Sequence, residues 1–141
     1  MNPFEKLLGE KSTLLADGAT GTSFFAMGLQ SGDAPELWNV DYPERVARHY
    51  QAFIDAGSDL VLTNSFGGTR YRLQLHKAEQ RVAELNIAAA ALLREVVSKC
   101  DREIIVAGSI GPTGEILAPI GDLQADDAIA AFAEQDRKSV V

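Results

Sequence analysis

Hydrophobic positions in this chain fall into two patterns. Residues 13–17 (TLLAD), 59–63 (DLVLT) and 104–109 (IIVAGS) are short apolar runs, as expected of strands covered on both faces by helices rather than strands with one wet face. Between them, apolar residues return every three or four positions. Val46, Tyr50, Phe53 and Ile54 are spaced this way after Asp41, Pro43 and Glu44, which read as a helix cap, a first-turn proline and a capping-box acid; Gly57 reads as the stop. Val82, Leu85, Ala89, Leu92 and Val96 mark a second helix over residues 78–99, rich in helix-favouring alanine. A third helix begins near Asp126, and residues 18–40 read as one long loop.

Strand, helix, strand, helix, strand, helix is the order of right-handed crossovers, so the expected fold class is α/β with a parallel sheet. The strands start near Leu14, Leu60 and Ile104, so one unit takes about 45 residues and eight would take roughly 350, as in a β/α barrel. The 141 residues hold about three such units. Three parallel strands leave an unpaired edge and an incomplete core, which makes a truncated fold the expectation.

Composition narrows the partners. Hydrophobic residues make up 46% and charged residues 23%, as in a folded globular domain. A net charge of -7, a pI near 4.7 and scattered Lys and Arg argue against a nucleic-acid partner. The opening MNPFEKLLGEK interleaves charges with its apolar residues, unlike a secretory signal, and no run approaches the ~20 apolar residues of a membrane span. The single cysteine, Cys100, has no CxxC or Cys/His neighbour for a disulfide or metal site. The expected compartment is the cytoplasm.

Each predicted strand ends in small, polar and glycine residues: DGATGT, NSFGGTR and GSIGPTGE. In parallel α/β folds ligands sit at these carboxyl ends, where glycines let backbone N–H groups approach them. Asp17 suits a ligand ammonium or acid–base work, and equally suits satisfying the N–H groups of its own turn. Asn64 and Ser65 offer donors and acceptors for an amino-acid-like ligand, but are also ordinary turn residues. Ser109, Gly111, Thr113 and Gly114 could cradle an anion or simply build a rigid turn around Pro112. Neither glycine cluster is GxGxxG, and no Walker lysine follows. His49 and His76 read as ordinary surface or partly buried histidines, and Trp38 either caps the mouth of the fold or packs the long loop. Arg70 and Arg72 either counter a ligand carboxylate or begin a solvated helix. Cys100 falls at the amino end of a strand, away from the chemistry.

The stretches LLADGATGT, GSDLVLTNSFGGTRYRL and AGSIGPTGEILAPIG, across residues 13–122, together resemble the homocysteine S-methyltransferase family. That family includes betaine-homocysteine methyltransferases and the homocysteine-binding module of cobalamin-dependent methionine synthases. FFAMGLQSGDAPELWN is similar to bacterial members that use betaine. The resemblance implies the first three β/α units of a (β/α)8 TIM-type barrel, with homocysteine at the carboxyl end and zinc on its sulfur. A thiol of pKa about 8.5 is mostly protonated at neutral pH, and zinc makes it a thiolate able to attack a methyl group. By resemblance Asp17 and Gly18 lie against the amino-acid group and zinc site, with Asn64 and Ser109 lining the pocket. The family's zinc ligands are cysteines in Gly-x-Asn-Cys and Gly-Gly-Cys-Cys-Gly segments, which this sequence does not contain. The chain alone is therefore expected to be inactive, with no metal ligands of its own.

Betaine is the favoured methyl donor over methylcobalamin. Residues 1–135 are expected to be the amino-terminal part of the barrel domain. Residues 136–141 (DRKSVV) are expected to be a non-native tail, because one frame of a common sequencing adapter translates to these six residues. Two alternatives stand beside this reading. Another β/α-barrel enzyme would place a Lys or His at a strand's carboxyl end, and none is there; a non-catalytic module would bind a small amino acid without turning it over.

Overall fold

The computed structural model describes residues 2–139, with side chains through Arg137. It opens with a helix, α1 (Pro3–Lys11), that the hydrophobic pattern did not reveal. Its start is a reciprocal capping box: Asn2 Oδ1 accepts from Glu5 N–H at 2.8 Å, and Asn2 N–H donates to the Glu5 carboxylate at 3.2 Å.

Two of the three predicted strands form, and both are short. β1 (Leu60–Leu62) pairs in parallel with β2 (Ile105–Ala107), in the register Leu60↔Ile105, Val61↔Val106 and Leu62↔Ala107. The first predicted strand contributes one parallel bridge, Ala16↔Leu60, beside which Asp17 N–H donates to Leu60 O at 3.0 Å. The order is therefore residue 16, β1, β2, all parallel, and the fold is α/β.

Residues 18–40 are not a loop. They hold α2 (Thr20–Ala26), a 3₁₀ turn (Pro35–Leu37) and α3 (Trp38–Asp41), followed by α4 (Pro43–Asp55). Asp41 thus ends α3 instead of capping α4, whose cap position is Tyr42, without a side-chain hydrogen bond. Gly57 does end α4: its φ is +105°, and Ser58 N–H reaches back to Phe53 O at 3.0 Å. After β1 come α5 (Arg70–Leu73), two 3₁₀ turns and α6 (Val82–Val97), so the second predicted helix starts later than its apolar spacing implied. α7 (Ala125–Ser139) packs along α6. It carries on through exposed Asp136 and Arg137, while Val140 and Val141 lie outside the described residues.

One core unites α2, α3, α4, α6 and the sheet: Phe24, Trp38, Val46, Tyr50, Ile54, Val61, Leu93, Val96 and Ile104 are all buried together. β1 is covered on one face only. Val61 is fully buried, whereas Leu62 is 37% exposed, and Leu15 on the bridged segment is 54% exposed. The expectation of apolar strands covered on both sides fails because, among the described residues, all helices that pack on β1 lie on the Val61 side.

The amino ends of the strands are pinned by Asp59. Its buried carboxylate accepts from Lys11 of α1, lies 3.5 Å from Arg102 Nη1, and accepts from Leu15 N–H at 3.1 Å. Arg102 also donates to Ile54 O and Ser58 O, each at 2.7 Å. One carboxylate therefore joins α1, the bridged segment, β1 and the turn before β2.

Leu93→Ala, in the closed core, is expected to cost about 2–5 kcal/mol in denaturant titrations, and Leu62→Ala under about 1 kcal/mol. Equal losses would mean that both faces of β1 are covered. The Lys11 hydrogen bond is the main influence holding the Asp59 carboxyl below its usual range. Its contribution is therefore complete above the unfolded value of about 3.9 and disappears as pH falls through the folded one. The gap in melting temperature between the unmodified chain and Asp59→Asn is expected to be wide at pH 7 and to narrow below about pH 4; a gap independent of pH would show that size and not charge matters at this position.

Candidate functional site

Where β1 ends, residues 63–65 run inward and are all buried. Backbone groups there are shielded from solvent, so other protein groups must supply their partners. Asn64 N–H donates to Tyr50 Oη at 2.7 Å, and burial raises the Tyr50 phenol above its ordinary range. Asn64 and Asn39 exchange hydrogen bonds: Asn64 Nδ2 donates to Asn39 Oδ1 at 2.9 Å, and Asn39 Nδ2 to Asn64 O at 2.8 Å. Asn64 Nδ2 also reaches Pro35 O at 2.8 Å. The end of β1 is thereby tied to α3, α4 and the turn before α3.

A hydroxyl chain couples the loops after β1 and β2. Ser109 N–H donates to Thr63 Oγ1 at 3.0 Å, and Ser65 Oγ donates to Ser109 O at 2.8 Å. Ser65 has a single hydroxyl proton, so in the 2.7 Å contact between Thr63 and Ser65 the donor is Thr63. From α7, Gln135 Nε2 donates to Ser65 O at 2.6 Å and to Asn86 Oδ1 at 3.2 Å.

The glycines of NSFGG serve this packing. A Cβ at Gly68 would lie 2.5 Å from Asn86 Oδ1, and one at Gly67 would lie 2.9 Å from Glu36 Oε1. Gly67 N–H donates to that Glu36 oxygen at 2.6 Å. Glycine here admits neighbouring side chains to the backbone. Gly111 behaves alike: its N–H donates to Phe66 O at 2.9 Å, so the third loop is a rigid turn there and not an anion cradle.

Between these loops lies a cavity of about 450 Å³, lined by Thr20, Gly21, Asp33, Ala34, Pro35, Glu36, residues 62–67, Arg72, His76 and Ser109. It contains Asn64 and Ser109 but not Asp17 or Gly18. Asp17 stands just outside: its Oδ1 accepts from the N–H of the lining residue Leu62 at 3.1 Å, and its Oδ2 is buried without a partner among the described residues. Burial raises the Asp17 carboxyl above its usual range, against the backbone hydrogen bonds that lower it. Gly18 is exposed.

The remaining candidates sort clearly. His49 is a core residue, not a surface or partly buried one: it packs against Phe24, Tyr50 and Phe53, and burial lowers its pKa. Trp38, at the start of α3, packs into the core, stacked on Phe24 with centroids 5.2 Å apart. Arg70 pairs with Glu134 at 2.8 Å. Cys100 Sγ contacts Val96 O, and no group of three His, Cys, Asp or Glu side chains suited to a metal occurs among the described residues. No helix among them is long and apolar enough to cross a membrane. Sequence reasoning missed Glu36, for which the one available signal was a charged residue inside the otherwise apolar APELW, while Thr20 and Gly21 fall within the DGATGT ending without having been singled out.

Residues 14–140 match the model of the family described as homocysteine S-methyltransferase. Among curated relatives, the methionine synthase of Mycobacterium tuberculosis is 30% identical over 108 residues, covering 70% of this chain and 9% of that protein. The homocysteine S-methyltransferase of Escherichia coli K12 is 27% identical over 136 residues, covering 89% of this chain and 43% of that protein. The chain thus spans less than half the length of either. The metallated form of the homocysteine methyltransferase MmuM from Escherichia coli superposes with a TM-score of 0.80 over 97% of this chain and 53% of that one; at 24% identity this likeness speaks to fold alone. The oxidized form of the same enzyme gives 0.69 at 27% identity, over 81% of this chain and 42% of that one. With nine-tenths of its length matched by the family model, this chain belongs to the homocysteine S-methyltransferase family.

Proposed function

We infer that this chain is the homocysteine-binding part of a cytoplasmic enzyme that transfers a methyl group to the homocysteine thiol, giving methionine. The observation that carries the reading is the cavity at the carboxyl ends of β1 and β2, lined by Asn64 and Ser109 in a chain of this family. In this reading the chain supplies the first three β/α units of a (β/α)8 barrel. Asp17 and Gly18 meet the amino-acid group at the rim: the partnerless Asp17 Oδ2 is an acceptor for an ammonium. Asn64 and Ser109 complete the pocket wall. Betaine is the proposed donor in preference to methylcobalamin, on the likeness of the segment around Trp38 to betaine-using members.

Zinc is the metal the resemblance implies for activating the thiol, but the described residues do not fit it. No three potential ligands converge, and Cys100 stands apart from the cavity. What these residues supply is recognition and orientation. The thiol, with a pKa of about 8.5, stays mostly protonated at neutral pH unless something else activates it. Binding without turnover is therefore the behaviour proposed for these 141 residues.

Calorimetric titration is expected to detect L-homocysteine binding to the chain, while incubation with homocysteine, betaine and zinc yields no methionine. Methionine formation would overturn the inactivity, and absence of binding would overturn the assignment of the cavity. Asp17 can accept the ammonium only when ionised, and its raised pKa moves the loss of binding on acidification to higher pH than for an ordinary carboxylate of about 3.9. Asp17→Asn is expected to weaken binding at pH 7 and to flatten its decline on acidification. An unchanged profile would remove Asp17 from the site.

A further inference from the structure

Two charged side chains that line the cavity, Glu36 and Arg72, have no ion-pair partner among the described residues. Glu36 is 5% exposed, and its Oε1 is held by Gly67 N–H. Its Oε2 has no hydrogen-bond partner and the residue has no ion pair among the described residues, although the side chain lines the cavity. With one oxygen tied to the loop, the other is left as an acceptor for a cationic group in the cavity. Arg72, also lining the cavity, is exposed, and its guanidinium makes no ion pair or hydrogen bond among the described residues. The cavity's other carboxylate, Asp33, is exposed to solvent and so remains hydrated, and it accepts from Gln30 N–H at 3.1 Å. Leu62, Ala34, Pro35 and Phe66 supply apolar wall to the same cavity.

Building on the reading above, we propose that Glu36 and Arg72 are specificity-determining residues that select a small zwitterion, its cationic centre toward Glu36 and its carboxylate toward Arg72. An α-amino acid and a betaine share this chemistry, so the zwitterion is either the amino-acid end of homocysteine or a betaine-type methyl donor. A neutral compound or a simple anion would leave the Glu36 charge unmatched.

The test is calorimetric titration of the full chain, of Glu36→Gln and of Arg72→Gln. The probes are L-homocysteine, glycine betaine, 4-mercaptobutanoate (no nitrogen) and 3-mercaptopropylamine (no carboxylate). Glu36→Gln keeps an acceptor for Gly67 N–H, so the loop is retained and the melting temperature is expected to stay level or rise. This variant is expected to weaken the bound zwitterion and 3-mercaptopropylamine about tenfold or more while leaving 4-mercaptobutanoate unchanged. Arg72→Gln, at an exposed position that threatens folding less, is expected to weaken the zwitterion and 4-mercaptobutanoate and to spare the amine. Sensitivity of homocysteine alone identifies the amino-acid end, and sensitivity of betaine alone identifies the donor. Uniform loss across all probes, or homocysteine binding indifferent to both variants, overturns the pair and leaves the functional reading standing. Charge-dependent binding of betaine with no binding of homocysteine keeps the pair and overturns that reading. Binding of neither zwitterion overturns both.

Discussion

The structure depends on how the end of β1 is satisfied in the absence of water. Thr63, Asn64 and Ser65 are buried, and most of their side-chain hydrogen bonds run to groups from other elements. Tyr50 from α4, Asn39 from α3 and Ser109 after β2 are the partners. Buried polar groups of this kind are costly when half satisfied and rigid when complete. Here they hold the strand-end loops in one arrangement, and the cavity is the space that arrangement leaves.

The two ends of the sheet are stabilised differently. At the amino end a single carboxylate, Asp59, gathers two cations and a backbone N–H, so that end depends on charge. At the carboxyl end neutral amides and hydroxyls do most of the joining, while the carboxylates of Asp17 and Glu36 each keep an oxygen without a hydrogen-bond partner among the described residues. This division separates folding from recognition: charge is neutralised where the chain is tied together and left uncompensated where a ligand would meet it.

How much of this was legible in the sequence depended on range. α4 and α6 were readable because Val46, Tyr50 and Ile54, and Val82, Leu85, Ala89 and Val96, keep a helical period and are buried along it. α1 carried a readable sign, Asn2 three residues before Glu5, but too little apolar period to draw notice. α2 carried none: its sequence is TGTSFFA, and its cap residue, Ala19, sits at φ +50° without a side-chain bond. Asn64 and Ser109 could be found because strand ends are where ligands bind in parallel sheets. Glu36 could not, since its partner Gly67 is 31 residues away and only the fold brings them together. The glycines of NSFGG had the expected freedom from side chains but a different use, admitting Glu36, Asn86 and Gln135.

The one-sided cover of β1 also governs how these molecules behave in company. The outer edge of β2 has no strand partner among the described residues, and Leu62, Phe66, Ile110 and Ile116 are exposed. Such a surface is adhesive at short range. What opposes contact is mutual repulsion from a net charge of -7, which acts over about 8 Å at physiological salt. High salt, or acid near the pI of about 4.7, removes that repulsion and leaves the apolar face unchanged. Colloidal stability in this chain is thus electrostatic in origin, set by its acidic surface and not by concealment of its hydrophobic one.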